Sequence, residues 1–202
     1  MKNKGKLLIS IGVIILISSL AFMGFTHIRM IKRANEIQHK KEDFVKKVKQ
    51  SNEGHSKFKD EDFNGVLGFV EIEKIKLLLP IYKSTSDKEL RDGVGIVETT
   101  GQPTNQLNTV SVLAGHRGGY NGKDTFLKID QLKNGDIVKV TDRKNVYRYK
   151  VTGRTIIEPT DWTKFNKEPD KAKLILMSCH PYPTNTHRML VFTELIRIDF
   201  IK

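Results

Sequence analysis

The chain has 202 residues, with 35 Lys and Arg against 23 Asp and Glu, which gives a formal net charge of +12. This length fits one domain with additional segments, and ten Phe and five Tyr with many aliphatic residues exclude a fully disordered chain. The single cysteine excludes an internal disulfide and a cysteine-rich zinc site. The positive charge is compatible with nucleic acid, an anionic surface or a solvated Lys-rich face, so charge alone does not choose a function.

The first predicted element is a membrane anchor at residues 7–25, a run without any charged side chain. At about 1.5 Å per residue it spans roughly 28 Å, close to the hydrocarbon thickness of a bilayer. A cleaved signal peptide has a shorter apolar region of about 7–15 residues. The sequence therefore favours an uncleaved signal anchor that follows a short cytoplasmic segment, residues 1–6. Basic residues flank both ends, so the flanking charges do not set its orientation.

Residues 26–64 form a polar segment that we interpret as a stalk or linker between the anchor and a domain at residues 65–202. Its apolar residues recur at loosely helical spacing, which predicts a helix that ends near residues 51–54. A solvated stalk that lifts the domain off the membrane is favoured. The alternative is a segment that packs back on the domain as a lid. Residues 53–62 are expected to be a flexible linker.

The pattern changes to short β-type runs from residue 65 onward. Two short helices are predicted, at residues 87–91 and 126–132. Many short strands separated by polar turns predict an all-β barrel or sandwich. The predicted strands cover residues 68–72, 77–82, 108–114, 136–140, 146–151, 173–178 and 189–200.

Cys179 ends an apolar strand and is followed at once by His180 and Pro181, which stop the strand. A free thiol in an exported domain is a liability unless it is buried or used. A buried structural cysteine is one interpretation. A strand end beside a proline-rich loop is also where scaffolds present functional groups, so Cys179 is a candidate nucleophile.

A cysteine nucleophile needs a base and an oxyanion donor. His116 ends its own strand between glycines that leave room for substrate, and it is the best partner. His180 would point to the opposite face from Cys179, because side chains alternate along a strand. Arg188 begins the strand after the Cys179 loop, so it would lie beside the thiol if the two strands pair. Surface or structural roles remain the alternatives for His180, His187 and Arg188.

Together these residues resemble the sortase family of membrane-anchored cysteine transpeptidases. The active-site strand of that family reads T-L-x-T-C, and residues 175–179 match its leucine and cysteine, with Ile175 and Ser178 in place of the two threonines. The family's histidine often follows Ala-Gly at a strand end, as at residues 113–116. Its arginine follows the cysteine after a short loop, as Arg188 does.

The resemblance implies an eight-stranded β-barrel with short helices, held outside the cell membrane by the N-terminal helix. It implies cleavage of an LPXTG-like sorting signal on surface proteins between Thr and Gly, and transfer to an amine of the cell-wall precursor lipid II or to a pilin lysine. Cys179 would form the thioacyl-enzyme. His116 would protonate the leaving amine and deprotonate the incoming one. Arg188 would hold the substrate and stabilise the oxyanion.

The resemblance also suggests which residues contact the substrate. Ser178 stands where the family has a threonine that touches the substrate backbone, and we expect Ala114 and Leu176 to contribute contacts. Trp162 or Phe165, in the loop before the cysteine strand, would line an apolar pocket for the signal's Leu and Pro. Some sortases bind calcium, but the corresponding stretch, residues 98–105, has one carboxylate. Calcium needs several oxygen ligands, so we expect no metal and no cofactor.

The subclass is open to two interpretations. Residues 115–118, 179–182 and 185–188 resemble the pilin-polymerising branch. That branch typically has a second, C-terminal span and a lid with an Asp-Pro-aromatic motif, whereas the sequence has Asp62-Phe63 without the proline and no such span before residue 202. A single N-terminal anchor therefore favours the class A-like, protein-anchoring branches.

Two functions of other classes remain as alternatives. The first is a cysteine hydrolase that releases peptide without transfer. The second is a non-catalytic, membrane-tethered barrel that binds anionic wall polymer through its lysines. Nucleic-acid binding is disfavoured, because the basic residues are scattered among acidic ones.

Overall fold

The structure is a computed structural model, and it describes residues 2–54, 59–118 and 125–201. The chain divides into two compact units, Met1–Glu36 and Ile37–Lys202. The helix α1 (Lys2–Asn52) contributes residues to both units. The predicted domain boundaries after residues 6, 25 and 64 stay predictions.

The first unit is helical, and its apolar residues face outward. Every side chain from Leu7 to Phe25 is exposed, including Leu8 and Phe22 at 69% each. Within the described residues, one helix is long and apolar enough to cross a membrane. A helix that is apolar all round and unburied has the character of a bilayer segment, and the helix that the sequence predicts over residues 7–25 is present.

The second unit begins with the C-terminal part of α1, which packs on the barrel described below. Ile37, Phe44 and Val48 are all at least 92% buried and belong to the main core. The Phe44 ring lies edge-on to Phe63 and Phe69, at centroid distances of 5.1 and 5.5 Å. The solvated-stalk interpretation is therefore wrong for this part of the segment. The three apolar residues form a helical stripe, and burying it removes their surface from water.

Within the described part of the chain, eight strands follow and close into a barrel. They are β1 (Gly68–Ile72), β2 (Leu77–Tyr82), β3 (Val94–Ile96), β4 (Thr109–Ala114), β5 (Ile137–Thr141), β6 (Asn145–Ile157), β7 (Ala172–His180) and β8 (His187–Phe200). Their order around the barrel is β1-β2-β3-β4-β7-β8-β6-β5. The short helices are α2 (Asp87–Asp92) and 3-10 helices at Asp60–Phe63, Glu73–Ile75 and Phe126–Gln131. The predicted all-β, eight-stranded barrel with short helices is confirmed. The sequence pattern missed β3, which is only three residues long and has a central glycine.

The strand β7 is covered on both sides, which explains why its residues 174–177 are all apolar. Leu174 and Leu176 face the barrel interior and belong to the main core. Ile175 lies on the other face, in a second cluster that we call the outer cluster, and Met177 packs against that cluster. A strand buried on both faces reads as a continuous hydrophobic run instead of an alternating one. The buried members of the outer cluster are Val97, Val110, Val112, Ala114, Ile157, Ile175 and Leu190.

Candidate active site

Three neighbouring strand ends bring Cys179, His116 and Arg188 together. In the antiparallel pair of β7 and β8, Cys179 lies directly opposite Arg188. The strands β4 and β7 are parallel, with Ala114 opposite Met177. The backbone N–H of residue 115 donates to the Met177 carbonyl at 3.0 Å, which carries this pairing one step past the end of β4. Continuing this register two residues past Ala114 and Met177, we infer that His116 lies beside Cys179.

The three side chains share the outer face of the barrel. Paired residues on neighbouring strands project to the same side of a sheet. Ala114 and Met177 lie two residues before His116 and Cys179, and Leu190 lies two residues after Arg188. All three lie in or against the outer cluster. Because side chains two residues apart on a strand point the same way, the sulfur, imidazole and guanidinium stand at the end of one apolar surface.

Each of these three side chains is partly exposed, and Cys179 is a free thiol. The loop between β7 and β8 holds the arginine in place. The Arg188 Nη1 donates to the carbonyls of His187 at 3.0 Å and Asn185 at 3.3 Å. The Asn185 N–H donates to the Pro181 carbonyl at 2.7 Å, which closes the loop so that β8 returns directly beside β7.

The other two histidines of the barrel lie on the opposite face. His180 and His187 face each other as a pair of the same ladder, one step from the Cys179–Arg188 pair. The Nδ1 of His180 is 2.6 Å from the Arg117 Nη1. Burial and the neighbouring Arg117 cation lower the pKa of His180. The Nε2 of His187 is 3.1 Å from a carboxylate oxygen of Glu158. The predicted orientation of His180, away from Cys179, is confirmed.

The structure separates the four residues that we expected to contact the substrate. Ala114 lies in the outer cluster, and Trp162 is 52% exposed, with its ring 5.4 Å from that of Phe165. In contrast, Leu176 is fully buried in the interior core. Ser178 is 2% exposed, and its hydroxyl donates to the carbonyl of residue 115 at 3.0 Å. We therefore give Leu176 and Ser178 structural roles in place of the expected substrate contacts, because even-numbered residues of β7 point into the barrel.

Phe165 connects the loop before β7 to the outer cluster. It packs against the outer cluster, and Trp162 stacks edge-on against it. The two aromatic rings thus extend the apolar surface of the outer cluster into this loop.

The sequence did not predict a cluster that lies behind the candidate site. Arg117 is 8% exposed and forms an ion pair with Asp130, besides its contact with His180. The available signal was an arginine next to the candidate histidine, in a short glycine-flanked loop. No group of three or more His, Cys, Asp or Glu residues within the described part of the chain is arranged to hold a metal. The expected absence of a metal stays a prediction.

Comparison with known proteins agrees with this architecture. Residues 70–196 match the sortase domain family. Sortase A of Bacillus anthracis is 31% identical over 135 residues, which are 67% of this chain and 62% of that protein. The structure of sortase C-1 from Actinomyces oris is 33% identical with a TM-score of 0.63, over 66% of this chain and 75% of that one. A pilus-related sortase C of Group B Streptococcus is 28% identical with a TM-score of 0.64, over 66% of this chain and 68% of that one.

A closed eight-stranded barrel with a cysteine, a histidine and an arginine at adjoining strand ends defines a class of cysteine-dependent enzymes. The chain belongs to the sortase family, whose members are cysteine transpeptidases. The matching region spans less than two thirds of the Bacillus anthracis protein. Both sortase A and sortase C proteins are among the relatives.

Proposed function

We propose that the protein is a membrane-anchored transpeptidase that cleaves an LPXTG-like sorting signal of surface proteins between Thr and Gly. It transfers the Thr carbonyl to an amine of the cell-wall precursor lipid II. The observation that supports this proposal is the pairing of Cys179 with Arg188, together with the parallel β4/β7 register which, continued past Ala114, brings His116 to the same strand ends. Membership of the sortase family supports it.

The reaction follows from the three side chains. The Cys179 thiolate attacks the Thr carbonyl carbon, and His116 gives a proton to the Gly nitrogen as the C–N bond breaks. The products are a thioacyl-enzyme and a free Gly-terminated peptide. An incoming amine then attacks the thioester, His116 takes its proton, and the C–S bond breaks. The Arg188 guanidinium donates to the oxyanion in both steps, where a charged donor is worth about 3–4 kcal/mol.

The apolar outer face supports a peptide substrate. The outer cluster, together with Trp162 and Phe165, offers a surface for the Leu and Pro of the signal. Covering the thioester with peptide and aromatic rings would exclude water, which favours transfer to an amine over hydrolysis.

The proposed location is the outer side of the cell membrane, with the N-terminus in the cytoplasm. The exposed apolar helix of the first unit supports anchoring. Sorting signals and lipid II amines meet outside the membrane, so the barrel has to be extracellular. Basic residues beyond the span do not oppose this, because long domains translocate largely regardless of flanking charge.

A pilin-polymerising sortase is the second candidate, since several structures similar to this one are sortase C enzymes. The test supplies an LPXTG peptide to the full chain in detergent with an oligoglycine amine, with a pilin-type lysine peptide, or with no amine. We expect ligation to oligoglycine and a thioester adduct on the sole cysteine by mass spectrometry. Ligation to the lysine peptide alone would support the second candidate. Cleavage without ligation would support a hydrolase.

The variant Cys179→Ala separates these enzymes from the wall-binding barrel. We expect it to lose cleavage and transfer entirely, because no other residue supplies the sulfur of the thioacyl bond. Processing of the peptide at the parental rate would contradict the proposal.

A further inference from the structure

A second row of polar side chains lies behind the proposed catalytic row, on the inner face of the same three strand ends. Arg117 directly follows His116, and His180 directly follows Cys179. His187 lies opposite His180. Because side chains alternate between the faces, each residue of this inner row shares its backbone with a neighbour in the catalytic row. A shift of the inner row therefore moves the catalytic row.

Arg117 makes the contacts that tie the inner row together. Its side chain is 7% exposed and forms an ion pair with Asp130 through Nη2. Its Nη1 lies 2.6 Å from the Nδ1 of His180 and 3.7 Å from the Met189 sulfur. Its Nε has no hydrogen-bond partner among the described residues. The two ends of the guanidinium fork are thus held by different elements of the barrel.

The protonation state of His180 follows from this contact. A guanidinium is always protonated and only donates. The Nδ1 of His180 must therefore accept, which requires the neutral imidazole with its proton on Nε2. The lowered pKa of His180 agrees with this state. A buried guanidinium that loses such a partner leaves a donor unsatisfied.

The chain just after β4 is held by other contacts, because its strand pairing stops at residue 115. Beyond that point the carbonyl of His116 accepts from the N–H of Phe126 at 2.9 Å, and the N–H of Gly118 donates to the Thr125 hydroxyl at 3.1 Å. These bonds hold the His116 segment to the 3-10 helix Phe126–Gln131. Arg117 links this segment to the end of β7 through His180, and the Ser178 hydroxyl adds a bond to the carbonyl of residue 115.

We propose that Arg117 is a positioning residue that sets the separation of the His116 imidazole and the Cys179 sulfur through its bonds to His180 and Asp130. It does not touch the reacting atoms. It holds the residue after the histidine to the residue after the cysteine, so the two catalytic groups keep their register. A displacement of about 1 Å in such a constellation costs up to about 100-fold in rate.

The experiment compares Arg117→Met, Arg117→Lys and His180→Ala in the full chain in detergent. We expect Arg117→Met and His180→Ala to lower kcat about 10- to 100-fold while KM changes by less than about twofold, since positioning acts on the chemical step. Arg117→Lys should have a kcat between those of Arg117→Met and the parent, because an ammonium can bind Asp130 or His180 but lacks the guanidinium geometry that binds both. The double variant Arg117→Met/His180→Ala should have a kcat no lower than that of the less active single variant, because both substitutions break the same contact.

The matched control is Arg148→Met. Arg148 is also a partly buried arginine paired with a carboxylate, with its Nε 2.9 Å from Asp199. It lies on β6, away from the catalytic strand ends, and we expect its kcat to stay within about twofold of the parent. His180→Ala leaves the ion pair of Arg117 and Asp130 intact, so it tests the tie even if Arg117→Met fails to fold. Parental kcat in a folded His180→Ala protein would overturn the inference.

The inference rests on the proposed function for its turnover measurements, so a second readout is independent of it. The rate of Cys179 alkylation by iodoacetamide at neutral pH requires no sorting peptide. It should change at least about threefold in Arg117→Met and His180→Ala but not in Arg148→Met, because thiol reactivity follows the charged groups around the sulfur. If the parent protein transfers no peptide, the proposed function is wrong, and the alkylation rates alone test the positioning role of Arg117. Unchanged alkylation would then overturn the role of Arg117.

Discussion

Cys179 and Arg188 are direct cross-strand partners at the ends of β7 and β8. The loop between them is closed by the bond from the Asn185 N–H to the Pro181 carbonyl. A directly opposed pair has Cβ atoms about 4.5–5.5 Å apart, which leaves room for a carbonyl oxygen between a sulfur and a guanidinium. In the proposed mechanism, this pairing brings the guanidinium close to the carbonyl that Cys179 attacks.

Arg188→Lys should lower kcat about 10- to 1000-fold, because a single ammonium does not reproduce the guanidinium fork. The control is Arg197→Lys on the same strand, where the side chain is 68% exposed and lies far from the thiol. Steady-state kinetics on an LPXTG peptide measures both. Equal rates for the two variants would leave Arg188 without a role in the reaction.

His116→Ala should lower kcat about 100- to 10,000-fold, the usual range for loss of a general acid and base. His39→Ala is the matched control, since that imidazole is 80% exposed on α1. We expect the control to retain parental turnover. Comparable activity in both variants would remove His116 from the mechanism.

The stability of the barrel should fall as the pH drops below about 6.5, the ordinary value for histidine. The lowered pKa of His180 means that the folded barrel binds fewer protons there than the unfolded chain. His180 therefore leaves the free energy of unfolding unchanged well above about pH 6.5. As the pH falls from there towards the folded-state pKa, His180 lowers the free energy of unfolding increasingly. Urea unfolding between about pH 7.5 and 5 measures the loss. The loss should be smaller in His180→Ala, and an equal loss would contradict the assignment.

Gly95→Ala should destabilise the barrel by about 1–3 kcal/mol or more through overpacking. A Cβ on Gly95 would lie 1.9 Å from the carbonyl oxygen of Ser84, and a backbone atom cannot move aside cheaply. Gly153→Ala in β6 is the control, since its Cβ would meet no atom within 4 Å. Urea titration should show the control within about 0.5 kcal/mol of the parent. Similar midpoints for both variants would show that β3 can shift to accept the methyl group.

Phe44→Ala should release the C-terminal part of α1 from the barrel. Removing a buried aromatic ring of this kind lowers the free energy of unfolding by about 3–5 kcal/mol. The helix should therefore open locally from the barrel more often. Hydrogen exchange of residues 37–52 should accelerate, whereas Phe200→Ala, at a side chain 76% exposed, should leave it unchanged. Transfer activity should stay within about twofold of the parent, because β1 lies halfway around the strand ring from β7. A large loss of activity would mean that the helix acts on the site.

The strand pattern was accessible from local sequence features, and the candidate trio from those features together with the family resemblance. Period-two patterning and turn residues predict most strands, because each depends on neighbours in the chain. Three expectations were wrong for the same reason: the solvated stalk at Ile37, Phe44 and Val48, and the substrate contacts of Leu176 and Ser178. In each case burial depends on what packs against the residue, which no local pattern contains.

The sequence by itself determined an apolar helix, an all-β domain and the chemical groups that a cysteine transpeptidase needs. Only the tertiary structure decided that β4, β7 and β8 are neighbours, which makes one surface of His116, Cys179 and Arg188. It also decided that Arg117 and His180 meet behind them. The physical reason is that pairing between strands distant in the chain is set by closure of the whole barrel and by packing on both faces of β7. These are energies of the assembled fold and not of any segment.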